Sequence, residues 1–404
     1  MHSRLSQKID ILEPASVKNT IPVQWRKAKG CIIYGEKGRK WIDFTSGIFV
    51  TNAGHSNEKI KKAIQKQLNS DLLFSYNYPT QIKYEFLNKL LSVSKHFDSA
   101  ALLATGSEAT DLAYKLIKIW AKKNKKKYIV SFKGSYHGRG LSCDLISGNK
   151  DKANWSGLAD GDVVFLDFPY THDATFDSSK LPPPQEIAAF FLETFQGWGA
   201  WFYPDQYISD LYTFAKRSGS LICFDEMQSG FFRLGALYGY MTYGQNIVPD
   251  LICVGKGISS SLPLSAVLSK KEIFDIDATA DLHGTHSANS LCCAAALANL
   301  EFLSSRPFQK RLNVVSKYFI KELMEIKNIP VIRRVNARGM VAALIFERAD
   351  TATAIVNKCV QKGLLPVCTN KNSIKLAPPL TITIPTLKKA FSILRECIQE
   401  DSTI

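Results

Sequence analysis

The sequence predicts an α/β chain in which a large domain, built on a mainly parallel sheet flanked by helices, is joined to a smaller α+β domain formed from both chain ends. Three observations carry that expectation. The length of 404 residues exceeds what one hydrophobic core usually serves, since single cores stop growing at roughly 250–300 residues. Between about residues 100 and 270, short continuous apolar runs alternate with amphipathic helical segments, the pattern of a parallel sheet covered on both faces. No internal repeat or low-complexity tether separates the halves, so the lobes are expected to pack closely. The expected divisions are an N-terminal segment over 1–57 that joins the small domain, a large ligand-binding domain over 58–300, and a small domain over 301–404.

The strands expected in the large domain are 100–104, 128–132, 187–192, 221–224 and 251–254, each too short and too rich in β-formers for a buried helix. Polar residues follow each at once, and ligands of open α/β sheets bind beyond the carboxyl ends of strands. After Ala109, apolar residues at Leu112, Ala113, Leu116, Ile117 and Trp120 trace a helical stripe directly behind the turn TGSE. Beyond residue 300 the periodicity predicts a helix over 308–326, strand pieces at 331–335 and 340–346, a helix over 351–362 and a last helix after Pro385.

Composition narrows the function classes. Hydrophobic residues make up 46% and charged residues 22%, ordinary values for a globular chain and unlike disordered or fibrous ones. No apolar stretch has the length of a membrane span, and MHSRLSQKID lacks the apolar core of a secretory signal, so a cytoplasmic protein without membrane contact is expected. The nine cysteines show no CxxC pairing and read as small buried hydrophobes, with no metal site expected. A net charge of +15 raises the question of nucleic acid. The densest cluster, Lys122 to Lys127, closes an amphipathic helix where cations meet the negative end of the dipole, so no nucleic-acid partner is expected.

The chemistry-bearing residues stand where strands end. Lys256 in VGKG follows a buried strand; a lysine there can form a Schiff base and, once released, shuttle a proton. Asp225 in LICFDEMQSG ends another, where a carboxylate is costly without a cationic partner. A protonated pyridine nitrogen is such a partner, and a lone helix-capping aspartate is the plainer alternative. Gln228 lies three residues on, within reach of a phenol oxygen. The turn Thr105–Ala109 offers helix N-terminal N–H groups to a phosphate, with Gly106 allowing close approach and Ser107 adding a hydroxyl or simply capping the helix. Tyr136 in SYHGRG is suited to stacking on a ring. Together these meet the five needs of pyridoxal 5′-phosphate (PLP): a lysine, a carboxylate for the ring nitrogen, a phosphate cup, a ring stacker and a partner for the phenol oxygen.

The order TGSEA, SYHGRG, ETFQGWG, FDEMQSGF, GKG, GTHSAN, preceded by WIDFTSGIFVTNAGHSN and followed by IKLAPPLTIT, resembles the class III aminotransferases, the omega-aminotransferase group of PLP-dependent fold type I. The resemblance spans nearly the whole chain. It implies that Lys256 carries PLP as a Schiff base, Asp225 pairs with the ring nitrogen, Gln228 meets the phenol oxygen, Tyr136 stacks with His137 beside it, and Gly106 and Ser107 bind phosphate. Glu193 matches the acid that supports the cofactor site. Thr285 matches a threonine reaching the neighbouring subunit's phosphate, which implies a homodimer with active sites at the interface. Phe49, Arg139, Trp198 and Lys375 are the expected substrate-pocket residues.

Three departures from the family pattern stand out. Trp198 occupies the place of a gating glutamate. Lys375 occupies that of an arginine gripping a substrate carboxylate, and lysine lacks the bidentate fork. Ser290 replaces a common proline and reads as structural. The expected reaction is ping-pong transfer of an amino group from an amine or amino acid, with a terminal amine favoured, to a keto acid or aldehyde. A PLP-dependent isomerase of the same fold, an aminomutase or racemase, is the alternative.

Overall fold

The computed structural model describes residues 4–17, 21, 23–149, 154–159 and 161–400. Its centre is a seven-stranded sheet in the order Ser99–Leu103, Ser265–Ser269, Leu251–Val254, Leu221–Asp225, Ile187–Glu193, Tyr128–Phe132, Val163–Leu166. Ser265–Ser269 runs antiparallel to both neighbours, and the other pairings are parallel. The five expected strands are all present, with ends within one residue. Ser265–Ser269 and Val163–Leu166 were not expected. The first is bounded by serines and wholly buried, and its apolar centre of only Ala266, Val267 and Leu268 becomes a strand because neighbours on both sides satisfy its backbone.

Alternation within the strands splits the core into two layers. Phe191, Cys223 and Cys253 face the helix Gly106–Lys123 through Leu112, Ala113, Leu116 and Ile117, whereas Phe190, Phe224 and Ile252 join the core shared with the C-terminal elements. This is the period-2 consequence of a sheet covered on both faces. Lys122 and Lys123 fall in the last turn of that helix, where cations oppose its dipole.

Both chain ends meet as expected. Lys27–Lys29, Ile32–Tyr34 and Lys40–Asp43 form a sheet completed by Leu364–Leu365, parallel to Lys40–Asp43. A second sheet holds Arg334–Arg338, Val341–Ile345, Ser373–Leu376 and Val367–Cys368. Helices Arg306–Ile326, Ala349–Lys362 and Ile384–Gln399 pack beside these strands. The strand expected at 331–335 starts only at Arg334, because Ile332 N–H closes a turn on the Ile329 carbonyl. Among the described residues no helix is long and apolar enough to cross a membrane. Seven of the nine cysteines are buried, and Cys31 and Cys368 are partly so.

Candidate active site

Three adjacent strands deliver three candidate side chains to one sheet edge. Asp225 is in register with Glu193 on one side and Cys253 on the other, and Lys256 follows Cys253 by three residues. Beyond Leu251–Val254 the chain enters a short 3-10 turn at Lys256–Ile258, with Lys256 itself at φ 40°. A non-glycine residue in that region is sterically disfavoured and needs support from its surroundings. Asn299 supplies it: its Nδ2 donates to the carbonyls of Gly257 and Ile258, both at 2.8 Å.

Asp225 is almost wholly buried, and its carboxylate accepts from Met227 N–H (3.0 Å) and from His137 Nδ1 (2.8 Å). A carboxylate only accepts, so the proton of that second bond sits on Nδ1. Among the described residues His137 Nε2 has no hydrogen-bond partner, and the ring meets Phe191 edge-on at 4.9 Å. The sequence placed His137 only beside Tyr136; the structure makes it the residue that orients Asp225. Asp225 does not cap a helix. Two of its roughly four acceptor positions remain, and among the described residues no Lys or Arg pairs with it.

Glu193 accepts from the backbone N–H groups of Tyr136 and Gly197, each at 3.1 Å. Burial pushes its carboxyl up to about 7, against the pull of nearby His137. It thereby ties the loop carrying Tyr136 to the loop carrying Trp198. Tyr136 is half-buried, and its hydroxyl accepts from Arg139 Nε at 3.3 Å.

Lys375 enters the same cluster from Ser373–Leu376. It is buried, donates from Nζ to the Gly197 carbonyl (2.7 Å) and Gln228 Oε1 (2.9 Å), and lies 4.5 Å over the ring of Phe49. Burial pushes its amine down to about 7, with Glu193 opposing and Lys256 reinforcing the shift. Trp198 donates its indole N–H to Gln196 Oε1 (2.7 Å), packs near Tyr170 and Trp201, and receives Lys371 over its ring at 4.5 Å. The Ser46–Phe49 turn, tied by Ser46 Oγ to the Ala377 carbonyl, brings Phe49 to Lys375, which sequence spacing does not reveal.

At the start of Gly106–Lys123 the cap is Thr105, not Ser107. Thr105 Oγ1 accepts from Glu108 N–H while Glu108 accepts from Thr105 N–H, a capping box legible in the spacing T-x-x-E. Ser107 Oγ instead accepts from Arg139 N–H at 3.1 Å. The N–H groups of Gly106 and Ser107, in the first turn, have no intrahelical acceptor. Gly106 and Gly255 leave room for Met227: a Cβ on either would stand 2.9 or 2.6 Å from its sulfur. Arg139 and Thr285 are exposed, and Gly284 before Thr285 lies near the carboxylate of Glu108.

Two further buried charges escaped the sequence reading. Glu226 accepts from Thr194, Ser229 and the N–H groups of Gly239 and Tyr240. Arg233 donates to the carbonyls of Met340 and Pro378, to Ser46 Oγ and to Asn52 Oδ1, riveting three segments of the chain together. Their signal was a charge inside an apolar run, FDEMQSGFFR, which has no reading until its partners are known.

This sheet edge, with a lysine, a carboxylate and a helix N-terminus converging on it, defines an α/β enzyme of the fold seen in transaminases. The family profile Aminotransferase class-III matches residues 14–398. The chain belongs to the class III aminotransferases, which are PLP-dependent enzymes of amino-group transfer. It is 30% identical to acetylornithine aminotransferase of Clostridium acetobutylicum over 93% of this chain and 96% of that protein. It is also 30% identical to a probable 4-aminobutyrate aminotransferase of Bacillus subtilis, over 91% of each. Among solved structures, ornithine aminotransferase from Toxoplasma gondii superposes with a TM-score of 0.89 at 22% identity, covering 98% of this chain and 95% of that one. A transaminase from the marine bacterium Virgibacillus gives 0.88 at 22%, covering 99% of each.

The side chains suit the cofactor of this family. Asp225 retains acceptor positions for a protonated ring nitrogen, and the first turn of Gly106–Lys123 retains N–H donors for a phosphate. Lys256 is the lysine that follows the strand next to Asp225 in the sheet.

Proposed function

We propose that this chain binds PLP on Lys256 and carries out ping-pong transamination in which the donor presents a terminal amine rather than an α-amino dicarboxylate. The observation that carries the catalytic part is the register that brings Glu193, Asp225 and the Lys256 turn to neighbouring strand ends. When bound, PLP supplies an electron sink that acidifies the substrate Cα–H. Asp225, oriented by His137, holds the proton on the ring nitrogen. Lys256 would hold the cofactor as a Schiff base and, as a free amine, would be placed to move a proton between substrate Cα and cofactor C4′. Gly106 and Ser107 would hold the phosphate, Tyr136 would cover the ring, and Gln228 would meet the phenol oxygen.

The donor preference rests on the fate of the cations. Lys375 has committed its ammonium to Gly197 and Gln228, and Arg233 is consumed by four protein oxygens. Neither is available to fork around a substrate carboxylate. Trp198 is a half-buried apolar ring, Phe49 lies buried against Lys375, and Arg139 is the exposed arginine beside Tyr136 for a distal carboxylate. A terminal-amine donor is expected to exceed glutamate in kcat/KM by about tenfold or more, the scale of a lost charged hydrogen bond. Lys375→Arg is expected to narrow that gap. If glutamate is the best donor and Lys375→Arg leaves it unchanged, the donor inference fails. The isomerase alternative is tested in the same screen, because an aminomutase or racemase turns over with no carbonyl acceptor present.

The active unit is proposed to be a homodimer with shared sites. Leu72, Leu73, Phe74, Tyr76, Tyr78 and Tyr84 are exposed, and this apolar stretch adjoins the Thr285 loop through Asn289 Nδ2 to Leu73 O (2.9 Å) and Tyr76 to His283 (3.0 Å). Large exposed apolar patches mark interaction surfaces. Mixing Lys256→Ala subunits with Thr285→Ala subunits, each impaired alone, is expected to restore activity by assembling one intact site per mixed dimer. Mixed dimers with no activity above either parent would refute the shared site.

A further inference from the structure

We propose that Lys375 is a positioning residue for the cofactor: its ammonium fixes the Gln228 carboxamide with Oε1 turned inward, leaving Nε2 as the group that donates to the cofactor's phenol oxygen. The inference rests on the PLP reading above and concerns a residue that replaces the family's carboxylate-gripping arginine.

The geometry makes the orientation directional. An ammonium has three donors and no acceptor, so the amide atom 2.9 Å from Nζ is the oxygen. The Gly197 carbonyl, at 2.7 Å, takes a second donor and fixes where Nζ stands. Phe49, whose ring lies 4.5 Å from Nζ, covers it. The amide NH2 lies on the Gly197 side. A Cβ at Gly197 would come within 2.4 Å of Gln228 Nε2 and 2.9 Å of Glu193 Oε1. Glycine at 197 is therefore what lets Lys375, Gln228 and Glu193 share one small volume.

A neutral amine at 375 would behave differently. It keeps two N–H donors, enough for the Gly197 carbonyl and Gln228 Oε1, but its lone pair also accepts from Nε2, so it no longer excludes the inverted amide, which turns Oε1 toward a phenol oxygen it can only repel. The charge on Lys375 thus selects the amide's orientation. Burial opposes that charge most strongly, Glu193 favours it, and Lys256 adds to the opposition. The paired strand Val341–Ile345 brings no titratable side chain, and Val367–Cys368 brings only Cys368, bonded to Asn370. On helix Ala349–Lys362, which packs on the same strand, Asp350 pairs with Arg348 and Lys362 with Glu396 and Glu400.

A double-mutant cycle on the PLP-loaded protein separates action through Gln228 from a charge acting through space. The readouts are the pH midpoint of the bound cofactor's visible absorption and its Kd by equilibrium dialysis. Lys375→Met and Gln228→Leu are each expected to raise the midpoint by about one pH unit, because each removes stabilisation of the ionised phenol oxygen. Each is expected to weaken cofactor binding about tenfold. Together they are expected to do no more than Gln228→Leu alone, while Lys375→Arg, which keeps charge and donors, retains the unaltered midpoint. Equal shifts from Lys375→Met with and without Gln228, or no shift at all, would overturn the proposal. If thermal unfolding finds Lys375→Met unfolded, Lys375→Gln enters the same cycle under the same criteria. Failure of the unaltered protein to take up PLP on Lys256 would instead sink the cofactor reading itself.

Discussion

Lys256→Ala is expected to reduce turnover by about 10⁴-fold or more, the upper range for loss of a positioned acid–base group, and to abolish the covalent attachment of PLP. The chain carries 51 Lys and Arg residues, yet Lys256 has the placement: one strand over from Asp225, in a turn held by Asn299 at φ 40°. Lys375, the other lysine of the cluster, is not a substitute. Its Nζ is bonded to Gly197 and Gln228 and covered by Phe49. Borohydride reduction of the PLP-treated protein, followed by peptide mapping, checks the assignment, and a pyridoxyl label on any lysine other than Lys256 contradicts it. The variant should unfold at nearly the unaltered temperature, since removing a partly exposed lysine leaves the hydrogen bonds of Asn299 to the backbone in place.

Asp225→Asn is expected to slow the half-reaction with a good donor by about 10²- to 10³-fold, the scale of removing one preorganised electrostatic contact. The amide is nearly isosteric, so the fold should survive. What changes is the charge at the position proposed to face the ring nitrogen, and the proton on His137. With Asn Oδ1 accepting from Met227 N–H, Nδ2 faces His137 Nδ1, and two donors meet unless the imidazole moves its proton to Nε2. Among the described residues that nitrogen has no acceptor in its pocket against Phe191. Stopped-flow absorbance during a single half-reaction is the measurement, and a rate within a few-fold of the unaltered enzyme would remove Asp225 from the electron-sink role. His137→Phe, which keeps the edge contact with Phe191 but not the hydrogen bond, is expected to produce a smaller loss in the same direction.

Much of the site was legible because it follows from strand ends. Lys256, Asp225 and Glu193 each close an apolar run whose length already marks a buried strand, and parallel strands that share a sheet must deliver their termini to one edge. The Thr105–Glu108 capping box was present in the spacing of TGSE although the hydroxyl of Ser107 was read as a possible cap. Local pattern was enough for these because the chemistry sits within a few residues of the element that positions it.

The sequence alone determined the sheet's apolar strands, the helix behind the TGSE turn, the meeting of both chain ends in the smaller lobe and the membership in a PLP-using family, since each depends on order and periodicity along the chain. Tertiary structure decided the partners. His137 and Asp225 are 88 residues apart, Lys375 and Gln228 are 147 apart, and Arg233 finds oxygens at Ser46, Asn52, Met340 and Pro378. A buried charge must satisfy its donors or acceptors wherever the packed chain supplies them, and no rule of spacing says which carbonyl or carboxamide that will be. The lysine at 375 therefore read as a weakened substrate anchor in the sequence, and only the folded chain turned it toward Gln228.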